Sequence, residues 1–132
     1  MNFCKYLLKD KNKLTKKVFV DKEITYSQLL KDIEIVTTNL KSNERKIIGI
    51  SFENSYEFII YYLSIINSNN IALIIEKGLP IKKYNELLDK YEISLFFTDL
   101  KLNLGALSNQ YEISSDILKK SNCVKLTKKN KI

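Results

Sequence analysis

Apolar residues follow two rhythms along this chain. Tyr26, Leu29, Leu30, Ile33, Val36 and Leu40 recur every three or four positions and place one apolar stripe on a helix running to about residue 41. Thr25 precedes it, and Gln28 stands three residues on, which predicts a capping box of the T-x-x-Q form. "KIIGISF" (46–52) is instead a continuous β-rich run without alternation, as in a strand covered on both faces. Asn54 and Glu57 repeat the capping logic ahead of a second helix to about residue 68. That helix is apolar almost all round, from Phe58 to Ile66, and is expected to lie between layers.

"NSNN" (67–70) closes this helix, because asparagine is the best substitute for glycine in the left-handed conformation. "IALII" (71–75) and "ISLFF" (93–97) read as two further core strands. Between them Pro80 starts a helix whose stripe is Tyr84, Leu87, Leu88 and Tyr91. Upstream, "KVFV" (17–20) and "EI" (23–24) flank Asp-Lys and suit a small hairpin. Downstream the pattern weakens: "YEI" (111–113) as an edge strand, "SSDILKK" (114–120) as a short helix, "CVKL" (123–126) as a short strand.

Alternating strands and helices imply an α/β fold: a mostly parallel, twisted sheet with helices on both faces. The 132 residues suffice for one domain and one core, with no internal repeat and no low-complexity linker. No apolar run approaches about 18 residues, so a transmembrane helix is not expected. The N-terminus has neither an apolar signal-peptide core nor a small-residue cleavage site, so the expected location is the cytoplasm. Cys4 and Cys123 stand far apart, in no metal or redox spacing, and read as reduced thiols.

The net charge of +7 comes almost entirely from lysine, with Arg45 the sole arginine. Lysines concentrate at 5–17 and 119–131, where solvated ends are the plain reading and nucleic-acid contact the sharper one. Specific phosphate and base recognition favours the arginine fork, so nucleic acid is an unlikely partner.

Several phrases in order resemble the adenylate-forming enzyme superfamily, which includes acyl-CoA synthetases, peptide-synthetase adenylation domains and luciferase. Ile24-Thr25-Tyr26-Ser27-Gln28-Leu29 matches an opening of the form L-T-Y-x-E-L. "ISFENSYEFIIYYLSII" matches a strand followed by N-S-x-E-F and a buried helix. "INSNNIALIIEKGLP" (66–80) matches L-K-A-G-x-x-x-x-P-x-D followed by x-x-L-P, with no gap, and "KYEISLFFTD" (90–99) matches a strand ending in T-D. The likeness covers about 17–99 and departs from the pattern at Asn69 (glycine), Ile74 (proline) and Glu76 (aspartate).

The resemblance implies a ligase that joins a carboxylate to ATP, with magnesium, and passes the acyl group to a thiol. It also implies a phosphate-holding loop of the form T-S-G-T-T-G-x-P-K. This sequence contains no such loop: Gly49, Gly78 and Gly105 are isolated and none precedes a Lys-Ser/Thr pair. With no histidine, Ser-His and Cys-His nucleophile systems are excluded. Glu53 and Glu57 could face one side of a turn, but Glu57 reads as part of the cap. Tyr56, Tyr61, Tyr62, Tyr84 and Tyr91 read as core packing rather than a stacking platform.

No catalytic, cofactor-binding or metal residue is therefore assigned. The expectation is an N-terminal, truncated portion of a ligase, inactive alone. Its expected partner is the remainder of the enzyme, a complementary chain or, through exposed apolar surface, a second copy. The rival is a free-standing α/β interaction or regulatory module.

Overall fold

The computed structural model describes residues 17–19, 24–100, 111–115, 117–118 and 123–129. Cys4, Gly105, the Asp-Lys turn, Asp116 and residues 119–120 of the expected short helix, and the lysine-rich end 5–17 apart from Lys17 lie outside the described residues, as do 119–122 and 130–131 of the other lysine-rich end. β1 (Lys17–Phe19) and β2 (Ile24–Thr25) pair antiparallel, as the hairpin reading expects. Then follow α1 (Tyr26–Leu40), β3 (Ile47–Ser51), α2 (Ser55–Asn67), β4 (Ile71–Ile74), α3 (Ile81–Lys90), β5 (Leu95–Thr98), β6 (Tyr111–Ser115) and β7 (Val124–Lys128).

Five strands form one sheet in the order β4-β3-β5-β7-β6. β4, β3 and β5 are parallel, because a helix separates each from the next in sequence. β7 runs antiparallel to both β5 and β6. The stretch from Ser115 to Val124 is too short for a parallel crossover, so the chain turns back on itself. Ser114 and Ser115 consequently lie in β6, where a helix start was expected, and Ile117 and Leu118 lie in a turn.

The core has a half on each face of the sheet. On one, α1 and α2 bury Ile33, Val36, Ile60, Tyr61 and Ile65 against Ile48, Ile50 and Phe97. On the other, α3 buries Tyr84 and Leu88 against Ile93, Phe96 and Leu126. Tyr56 and Tyr61 are buried too, but Tyr91 is not: it is 39% exposed, with the Lys90 ammonium 5.3 Å from its ring. α3 ends at Lys90, so Tyr91 falls in the C-cap and leaves the helical period that aligned it with the stripe.

Two small residues fix the sheet's geometry. A Cβ on Gly49 would stand 3.0 Å from Cδ1 of Phe96, its cross-strand neighbour on β5. Asn69 adopts φ +63°, the left-handed closure expected after α2, and the Asn70 amide returns to the Ile65 carbonyl at 3.0 Å. Asn70 does more than end a helix. Its buried side chain donates to the Leu40 carbonyl (3.1 Å) and accepts from the Lys46 amide (2.9 Å), joining the end of α1 to the start of β3.

Candidate functional site

In open α/β sheets, ligands settle outside the carboxyl ends of parallel strands, where successive crossovers leave to opposite faces. Here α2 follows β3 onto one face and α3 follows β4 onto the other, so the crevice falls at Ser51 and Ile75–Glu76. The protein's own groups close it. The Tyr84 hydroxyl donates to the Glu76 carbonyl at 2.9 Å and lies 3.4 Å from the Ser51 hydroxyl. Ser51 and Tyr84 are both shut off from solvent.

The neighbouring strand end is closed by the same means. The Thr98 hydroxyl donates to the Ser51 carbonyl at 2.6 Å and accepts from the Leu100 amide at 3.0 Å. One Asp99 carboxylate oxygen accepts from the Glu53 amide at 2.8 Å, and the other from the Asn54 amide at 2.9 Å. Asn54 in turn accepts from the Tyr56 amide at 2.9 Å, capping α2. Unpaired amides at a helix start invite an anion. Here a resident carboxylate occupies the amides that lead into α2, and the site works as a clamp between β5 and α2.

That clamp revises the expected capping boxes. The Asn54 amide, which Glu57 was expected to satisfy, is taken by Asp99; the Glu57 Oε2 atom is buried without a hydrogen-bond partner among the described residues. At α1, Thr25 does accept from the Gln28 amide at 3.2 Å, but the Gln28 side chain points forward to Asp32 at 2.9 Å instead of back. A buried carboxylate needs donors more than a half-exposed cap amide does.

Asp32 is the residue that the pattern reading missed. It is 2% exposed, on α1, and accepts from the Tyr56 hydroxyl of α2 at 2.5 Å as well as from Gln28. Its signal in the sequence is a charge set on the apolar face, three residues after Leu29 and four before Val36. Burial raises the Tyr56 hydroxyl's pKa far above the ordinary tyrosine value; the hydrogen bond to Asp32 and the charges of Asp32 and Glu57 raise it further.

A separate open groove of about 390 Å³ runs between α3 and the antiparallel strands, lined by Lys82, Asn85, Asp89, Tyr111 and Lys128 among others. The Tyr111 hydroxyl donates to the Ile93 carbonyl at 2.5 Å, and burial, then the nearby Asp89 charge, raise its pKa. Glu53 is exposed and gives its backbone amide to the Asp99 clamp. Among the described residues no cluster of three or more His, Cys, Asp or Glu is placed to hold a metal. Nor is any described helix long and apolar enough to cross a membrane.

No family model and no curated protein matches the chain. Solved structures do. The chain is similar to the N-terminal subdomain of NpsA from Klebsiella oxytoca, at 19% identity and a TM-score of 0.55, over 65% of this chain and 23% of that one. It is also similar to NpsA of the same organism in complex with 3-hydroxyanthranilyl-AMSN, at 20% identity and a TM-score of 0.51, over 59% of this chain and 17% of that one. The matched region is thus less than a quarter of each of those chains. The likeness establishes the fold: helices flanking a twisted sheet, as in that N-terminal subdomain.

Proposed function

We propose that this chain is the N-terminal scaffold of an adenylate-forming acid ligase. The intact enzyme would activate a carboxylate with ATP and magnesium and pass it to a thiol. This chain would supply a sheet layer and the clamps that hold it, while the phosphate loop and reacting groups would be carried by other polypeptide.

One observation carries the proposal. Two of the phrases that resemble the family, "NSYEF" and "FFTD", meet in space through the bonds from the Asn54 and Glu53 amides to Asp99. A third, "ITYSQL", begins the helix whose Asp32 receives the Tyr56 hydroxyl. In these contacts the phrases act as structural fasteners. Such residues position a site and do no chemistry themselves, which fits a scaffold role.

Isothermal titration of the chain with ATP and magnesium tests this reading. The expected result is no saturable heat. Binding with a Kd of about 1 μM, equivalent to about 8 kcal/mol, would require a built phosphate site and would refute it.

A further inference from the structure

We propose that the free edge of β4, with the outer face of α2, is an interface to a second copy of this chain. The inference stands apart from the ligase reading, because it rests on the chemistry of one edge.

β4 is the terminal strand of its sheet, and among the described residues nothing pairs with its outer side. The Ile71 and Ile75 amides donate to the carbonyls of Lys46, just before β3, and Ile50 of β3, both at 2.8 Å. By strand alternation, Ala72 and Ile74 turn their N–H and C=O groups outward. Natural edges are guarded by lysine, proline or a bulge. Ile71-Ala72-Leu73-Ile74 has none of these, and Ile71 and Ile74 are 42% and 53% exposed.

The surface next to this edge continues the pattern. Phe58, Ile59, Tyr62 and Leu63 are only partly buried on α2, and Ile66 is 49% exposed. No charged residue occurs from Phe58 to Ile75, in a chain that is 28% charged. A protein of net charge +7 repels its own copy over most of its surface. Here two copies can meet without bringing like charges together.

The geometry is also self-complementary. Antiparallel pairing about a two-fold axis at Leu73 sets Ala72 of one copy opposite Ile74 of the other, twice. These are the residues with outward backbone groups, so they form the hydrogen-bonded pairs. Ala72 packs on the α2 side of the sheet, so Ile74 shares that face, and each large Ile74 covers a small Ala72. Leu73 then faces its own copy as a non-hydrogen-bonded pair, with Cα atoms about 4.5 Å apart. Such a two-fold contact is closed and makes a dimer, not a fibre.

Sedimentation velocity over a concentration series tests the interface, with circular dichroism to verify folding. Wild type is expected to dimerise. Ile74→Lys should raise the dimer Kd by about tenfold or more, equivalent to about 1.4 kcal/mol. Ile113→Lys, on the opposite edge strand β6, should leave it unchanged. Leu73→Cys in a Cys4→Ser background should give a disulfide-linked dimer on mild oxidation, since the expected spacing fits a disulfide. A wild type that stays monomeric at every concentration, a dimer indifferent to Ile74→Lys, or a dimer that Leu73→Cys fails to crosslink would overturn the proposal.

Discussion

The Tyr56 hydroxyl meets the Asp32 carboxylate at 2.5 Å, between two helices at a point water does not reach. This bond joins α1 to α2 where apolar packing alone would let the helices slide. Tyr56→Phe removes this hydroxyl donor from a buried aspartate. The expected cost is about 1–3 kcal/mol, read as a lower urea midpoint at unchanged slope.

The same hydroxyl gives the fold an alkaline limit. Tyr56 and Tyr111 both have raised pKa values in the folded state. Their contribution is complete below the unfolded tyrosine value of about 10. Above it the unfolded chain releases protons that the folded chain keeps, so stability falls as pH rises. The slope from Tyr56 should approach about 1.4 kcal/mol per pH unit, Tyr111 adds in the same direction, and Tyr56→Phe should make the fall shallower. Urea titrations between pH 8 and pH 11 measure this.

Asp99 holds the start of α2 by two amides. Asp99→Ala should cost about 1–2 kcal/mol, the range for losing a helix cap. Asp99→Asn should cost less, because its one remaining carbonyl oxygen can keep one of the two bonds. Equal losses in the two variants would show that the bond the asparagine keeps contributes nothing.

Gly49 leaves room for the Phe96 ring, with Ile93 side-chain carbons only 3.3 and 3.4 Å from where a Cβ would stand. Both residues are fully buried and cannot move aside into solvent. Gly49→Val should therefore overpack the α3 half of the core by about 1–3 kcal/mol, despite valine's preference for strands. Thermal unfolding shows whether crowding or propensity wins.

What the sequence made legible follows from local physics. The stripe on α1 and the unbroken run "KIIGIS" carry their periods in neighbouring residues, and Thr25 and Asn54 cap helices that begin beside them. What it hid depends on distant partners. Asp99 reaches Asn54 across 45 positions and Tyr56 reaches Asp32 across 24, and no local pattern records such a pairing. Ser114 and Ser115 look like a helix start, but pairing with β7 outweighs that weak preference. Tyr91 has the spacing of a core residue but lies just past the helix that would bury it.

The scaffold reading depends on the carboxyl end of β3 and β5 being filled by Tyr84, Thr98 and Asp99. A residue-resolved amide NMR titration with ATP and magnesium examines that place directly. The expected result is that the amides of Ser51, Glu53, Asn54 and Leu100 hold their shifts throughout. Saturable movement of these amides would show that the strand ends grip a nucleotide and would contradict the account.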